Sequence, residues 1–376
     1  MAIAAGSRMG IPGRPRAPTR HLISEAPLLC TPLVNATLAT LCSVLREYAA
    51  GARNAVRVCL GVGEGDRVAI VRDLGREDIA MALEEEARDA GGAVFAWTME
   101  HWVERPAREL PRTLADEIVE FRPTVSFFVA EGEPGELAFR QPLLRLLTQQ
   151  LRCRHGHMIG IDRQLMLDGM AVDYDEVYRV TQQVYGVLRQ ATRVDVMTRL
   201  GTELTATFSK DRRWVPCDGR YHEPGRWGNL PEGEVFTAPW SLDGLLVGEE
   251  MGDHFAARYG LLPEPVRIRV REGRAVSVDV PGEPEMRREI EAYLGQSDCA
   301  NRAGEFAVGT NVGLTRIVGN FLQDEKFPGV HVAFGDPYGF ETGADWSCPS
   351  HVDVLASRAN VFVDGRQIME DGRFLL

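Results

Sequence analysis

Two imidazoles and three carboxylates in the last third of the chain occupy settings suited to chemistry. Glu234 lies in Gly-Glu-Val-Phe-Thr-Ala-Pro and Glu305 in Gly-Glu-Phe-Ala-Val-Gly-Thr-Asn. His331 lies in Val-His-Val-Ala-Phe-Gly, and His351 and Asp353 share Ser-His-Val-Asp-Val. Such a set can hold one or two divalent ions. An ion that lowers the pKa of bound water makes hydrolysis the natural chemistry. His351 and Asp353 are two positions apart, so on a strand they share a face. His331 interrupts an apolar run, 330–334, where a histidine is either a satisfied core residue or a ligand. Glu234 and Glu305 sit among small and apolar residues, and a buried carboxylate is costly unless it is paired or bound to a metal.

Other polar groups carry less. His155-Gly156-His157 adjoins Arg152 and Arg154, which predicts a solvated turn at a helix end. His254 follows Asp253 at a loop or helix start and belongs to no motif. Ser350 beside His351 makes no triad, because the chain has no Gly-x-Ser-x-Gly elbow. Gly61-Val62-Gly63-Glu64-Gly65 precedes a strand instead of following one, so it reads as a turn and not as a dinucleotide loop.

The elements that must position these residues change character near residue 194. Before it, helical patterns over 34–50, 76–90, 114–121 and 137–151 alternate with strand-like runs at 66–72, 93–97, 124–129 and 158–161. That alternation predicts an α/β N-terminal domain, 26–193, with a largely parallel sheet. After it, 204–208 and 266–270 alternate like half-buried strands, and Arg271-Glu272-Gly273-Arg274 predicts a hairpin turn into 275–280. With a helix at 286–294 and a strand and turn at 361–366, the second part reads as an α+β C-terminal metal-binding domain, 194–376. Residues 1–25, rich in Gly, Pro and Arg and lacking the apolar centre of a signal peptide, predict a flexible tail.

Bulk properties exclude some classes of function. The 376 residues carry a formal charge of −12, which leaves no basic excess for general nucleic-acid binding. The 44% hydrophobic content supports a packed core, and no apolar run approaches the ~20 residues that span a bilayer. The seven cysteines are scattered without a Cys-x-x-Cys pair, which predicts reduced thiols in a cytoplasmic protein.

The motifs around Glu234 and Glu305, the Asp324-Glu325-Lys326 segment leading into His331, and His351-x-Asp353 follow one another in an order and with gaps that resemble the M29 family of metallo-aminopeptidases, the thermophilic-type leucyl aminopeptidases. The resemblance implies an α/β N-terminal domain, a metal-binding C-terminal domain, a homodimer acting on peptides, and two divalent ions (Zn, Co or Mn). By resemblance the ligands are Glu234, Glu305, His331, His351 and Asp353, with Tyr338 facing the reaction centre. Either Glu305 or Asp353 is placed to bridge the ions, Glu305 then taking part in catalysis. Asp336 and Pro337 stand where the family typically has Asn and a small residue, which predicts an altered Tyr338 loop. Some relatives resemble Fe(II)-dependent ring-cleaving dioxygenases of dihydroxypyridines, for which His331, His351 and Asp353 would supply the ligand set. A binding protein that has lost its metal is the third reading, and five filled ligand positions argue against it.

Overall fold

The computed structural model describes residues 46–376. The expected tail, most of the 34–50 helix, Cys30 and Cys42 lie outside the described residues.

Five strands form a parallel sheet in the order β2-β1-β3-β4-β8. They are β1 (Arg67–Arg72), β2 (Ala93–Thr98), β3 (Val125–Ala130), β4 (Arg154–Ile159) and β8 (Trp227–Asn229). Helices Glu77–Asp89, Arg112–Phe121 and Leu137–Arg145 run between successive strands, as the alternation predicts. Parallel strands need such crossovers, and helices on both faces leave the central strands apolar throughout. Every residue of β3, Val-Ser-Phe-Phe-Val-Ala, is buried.

His155 and His157 correct an expectation. They lie in β4, not in a solvated turn, and are 1% and 7% exposed. The flanking arginines suggested solvent, but Arg154 folds back onto Leu60 and Gly61 carbonyls and Asp66. Burial drives the His155 pKa down to about 3, so it is neutral, with Nδ1 2.9 Å from the Ser126 hydroxyl and Nε2 3.3 Å from His157 Nδ1.

The remaining strands make one large antiparallel sheet: β5 (Arg193–Met197), β6 (Glu203–Thr207), β7 (Val215–Cys217), β9 (Glu234–Thr237), β10 (Ser241–Met251), β11 (Leu261–Arg271), β12 (Arg274–Asp279), β13 (Ala303–Gly309), β14 (Gly329–Gly335), β15 (His351–Ser357), β16 (Asn360–Val363), β17 (Arg366–Glu370) and β18 (Arg373–Phe374). The β11–β12 hairpin turns where expected, with Glu272 and Gly273 both at positive φ. Helix Pro284–Leu294 buries Met286, Ile290 and Leu294, one apolar residue per turn. The chain leaves this sheet after β7, lends β8 to the parallel sheet beside β4, and returns as β9. Among the described residues, no helix is long and apolar enough to cross a membrane.

The cysteines supply a second correction. Cys299 and Cys348, 49 positions apart, form a disulfide with Cα atoms 5.8 Å apart. Spacing along the chain carries no sign of this pairing, because the fold alone brings the two loops together. Cys59, Cys153 and Cys217 are free thiols.

Candidate metal centre

Four neighbouring strands, in the order β9-β13-β14-β15, each bring part of the predicted set. Residues facing each other across a ladder share a sheet face. Glu305 pairs with Ala333, which pairs with Asp353; His331 pairs with Ala307 and Leu355; His351 pairs with Gly335; Glu234 pairs with Gly309. Apart from Leu355, the residues opposite the large polar ones are small, Ala307, Gly309, Ala333 and Gly335, and leave room above the sheet. On the opposite face Val235, Phe306, Val308, Val330, Val332, Phe334, Val352 and Val354 pack into the core. The polar–apolar alternation that made these segments conspicuous is therefore the pleat itself.

The five side chains converge. His331 Nε2 lies 3.3 Å from Glu234 Oε2 and 3.3 Å from Glu305 Oε1. His351 Nε2 lies 3.8 Å from Glu305 Oε2 and 3.4 Å from Asp353 Oδ1. Glu305 thus turns one oxygen to each imidazole. Glu234, Glu305 and His331 form one trio whose ligand atoms lie within 4.8 Å of one another; Glu305, His351 and Asp353 form a second. His351 Nδ1 is 2.9 Å from the Asp336 carbonyl, a contact that assigns a proton to Nδ1 and turns Nε2 towards the carboxylates. Glu234 Oε2 is buried with no hydrogen-bond partner. A buried acceptor without a donor, inside a His/carboxylate cluster, fits a cation.

The charges behave as those of a cation-seeking site. Burial disfavours the imidazolium of His331, but the Glu305 hydrogen bond and the Glu234 charge outweigh it and lift its pKa to about 9. His351 rises to about 10 in the same way, through Asp353 and then Glu305. Burial raises Glu305, with both histidines opposing it.

Sequence reasoning named Glu325 and Lys326 within a motif but gave no role to the layer behind these residues. Lys326 is 1% exposed, with Nζ 2.6 Å from Glu234 Oε1, 2.7 Å from Glu325 Oε1 and 3.2 Å from Glu232 Oε1. Cys217, Glu232 and Glu234 also lie within ligand distance of one another, but the Lys326 ammonium sits against both carboxylates and fills the cation's role there. Glu325 adds an oxygen to a third trio with His331 and Asp353. Burial raises the Glu325 pKa to about 8 against the pull of Lys326. One signal was available: Lys210 and Lys326 are the only lysines in the whole chain.

Tyr338 stands at the lip, its ring centroid 4.6 Å from that of His351 and 6.1 Å from that of Phe236. Its phenol pKa is pushed up by desolvation first and then by Glu305 and Asp353. Its backbone is left-handed, φ 47°. Asp336 holds that turn: Oδ1 accepts from the Tyr338 N–H at 2.9 Å and Oδ2 from the Cys348 N–H at 2.9 Å. Gly335 before it has φ 118°, and a Cβ there would sit 2.0 Å from the Ser350 carbonyl. Only glycine allows β14 and β15 to approach so closely beside His351. His254 bonds Glu289 and belongs to none of the clustered trios.

A cavity of about 200 Å³ opens over the cluster, lined by Glu234, Glu305, His351, Asp353, Tyr338 and Glu341, with Trp227 and Asn229 of β8 completing its wall.

Comparison with known proteins agrees with this geometry. AmpT from Thermus thermophilus superposes with a TM-score of 0.63 at 19% identity, over 88% of this chain and 99% of that one. The 2,5-dihydroxypyridine dioxygenase from Pseudomonas putida KT2440 also gives a TM-score of 0.63, at 16% identity, over 89% of this chain and 97% of that one. At such identities both likenesses establish a shared fold and nothing finer. No curated protein sequence matches the chain. The family model described as thermophilic metalloprotease (M29) matches residues 167–355, a span that contains all five converging side chains. With half of its length so matched, the chain belongs to the thermophilic metalloprotease (M29) family.

Proposed function

We propose that this metalloprotease-family protein is a metal-dependent aminopeptidase that removes N-terminal residues from peptides. The observation that carries the reading is Glu305, whose two oxygens face two different histidines and so join two overlapping trios. Glu234, Glu305, His331, His351 and Asp353 would hold two divalent ions (Zn, Co or Mn). Ions held there supply a Lewis acid for the scissile carbonyl and a water of lowered pKa. Tyr338, kept protonated by its raised pKa, is the hydrogen-bond donor for the developing oxyanion. Glu341 lines the same cavity and, with Glu325, gives the substrate ammonium a negative environment. We also take the fold to comprise two domains meeting near residue 194 and the protein to act as a homodimer. The Cys299–Cys348 bridge weighs against a reducing, cytoplasmic location, since such bonds persist in oxidising compartments.

The second reading, an Fe(II) ring-cleaving dioxygenase using His331, His351 and Asp353, draws on the fold shared with the dihydroxypyridine enzyme. It leaves Glu234 and Glu305, both inside the cluster, without a task. Elemental analysis separates the two. About two Zn, Co or Mn per chain, with release of N-terminal residues from aminoacyl anilides, is expected. Glu234→Gln should lower kcat/KM roughly 100-fold or more. About one Fe per chain, with oxygen uptake on a dihydroxypyridine, would overturn the aminopeptidase.

A further inference from the structure

A second cavity of about 430 Å³ adjoins the metal centre and shares Cys217, Trp227 and Glu341 with it as a common wall. Its electrostatic character is opposite. The first cavity is lined by Glu232, Glu234, Glu305, Glu325, Glu341 and Asp353. The charged lining of the second is Arg213 and Arg226 beside the shared Glu341. Arg213 is spent on structure, donating to the carbonyls of Phe340 and Glu341 at 2.6 and 2.8 Å. The Arg226 guanidinium makes no ion pair or hydrogen bond among the described residues. Its backbone is nevertheless fixed, with the N–H donating to Glu223 O and the carbonyl accepting from His155 N–H, each at 3.0 Å. A guanidinium that makes no hydrogen bond or ion pair, carried on a fixed stretch of backbone at the wall of a cleft, is free to take an external anion.

Two further observations place this charge relative to the reaction centre. The carboxyl of Glu341 feels Arg226 on one side and Glu305 and Glu234 on the other, so it links the basic cavity to the acidic one. Arg140 lies close enough to Glu136, His157 and Tyr338 to interact with all three, and it forms no close ion pair among the described residues, with Nε buried and unpartnered. His157 packs edge-on against Trp227, ring centroids 6.3 Å apart. Positive charge therefore stands behind and beside the Trp227 wall, and negative charge lies in front of it.

We propose that Arg226 binds the free C-terminal carboxylate of the substrate, so that the preferred substrates are short peptides of two or three residues carried as zwitterions, ammonium towards the acidic cavity and carboxylate towards Arg226. Guanidinium–carboxylate pairing is bidentate and directional, which suits the recognition of a chain end. This assignment rests on the aminopeptidase reading for the orientation of the substrate.

The test uses the full-length, metal-loaded protein and a non-hydrolysable reduced-amide dipeptide, as the acid and as its C-terminal amide, with binding measured calorimetrically. The acid is expected to bind roughly ten-fold more tightly than the amide. Arg226→Ala should bring that ratio close to one, and Arg226→Lys should restore part of it. A third ligand, an amide carrying Asp at its second position, distinguishes a side-chain carboxylate from the terminal one; it should bind no better than the plain amide. Equal binding of acid and amide, no binding of either, a ratio untouched by Arg226→Ala, or an Asp-containing amide that matches the acid would each overturn the proposal. Failure of the aminopeptidase reading shows separately, as an acid-selective, Arg226-dependent site in a protein that releases no residue from the hydrolysable dipeptide.

Discussion

Lys326 decides how Glu234 presents itself to the histidines. Its ammonium engages Oε1 at 2.6 Å and leaves Oε2 facing His331. A lysine suits the position because three carboxylates approach from different directions, and a compact ammonium has three rotatable donors where a guanidinium has a flat fork. Lys326→Met would strand Glu232, Glu234 and Glu325, and breaking a buried ion cluster from one side costs about 3–5 kcal/mol. We expect a lower melting temperature and a weaker metal affinity together, read by calorimetry and by competition with a chelator. A variant with wild-type stability and metal content would remove Lys326 from the site. The five converging residues were legible because each is the odd polar residue in an apolar strand. Lys326 was legible only as part of the Asp324-Glu325-Lys326 segment that carries the family resemblance; its hold on Glu234, 92 positions earlier, depends on segments meeting in space.

At the scale of elements, the apolar run around His331 and the His351-x-Asp353 alternation were readable as strand, whereas β9, β13 and the loops that close the site were not. Strand alternation is local, whereas the Cys299–Cys348 bridge and the hold of Asp336 on Tyr338 and Cys348 depend on segments meeting in space. Likewise β8 is three residues long, too short for periodicity, and its partner β4 lies some seventy residues earlier. The altered Asp336-Pro337 pair now has a physical account. Asp336 ties the Tyr338 turn, the Cys348 segment and, through its carbonyl, His351 into one unit. The disulfide clamps that unit across a 49-residue separation, worth about 4 kcal/mol on the chain-entropy account. Replacing Cys299 and Cys348 together by Ser should lower the melting temperature and speed amide hydrogen exchange over 336–350. Unchanged exchange there would show that Asp336 holds the loop alone.

Across the whole molecule, stability should fall with alkalinity. Glu250 of β10 is fully buried, both oxygens without a hydrogen-bond partner, and interacts with the buried Asp324. Burial first, and the Asp324 charge second, push its pKa up to about 10. A carboxyl whose pKa rises on folding holds its proton more tightly in the native state. Its contribution is therefore intact below the unfolded-chain value, about 4.3, and is lost as the pH climbs towards about 10. Glu250→Gln, a mimic of the protonated form, should flatten this loss; the measurement is melting temperature against pH for both proteins between pH 5 and 10. Parallel curves would assign the alkaline loss to other groups. A last consequence belongs to β8, the strand borrowed from one sheet by the other. Swinging the two layers apart like a jaw would pull on its main-chain ladder with β4, so the pairing resists a wider mouth. The cleft walled by Trp227 then keeps its girth, which suits peptides of a few residues and turns a folded body away.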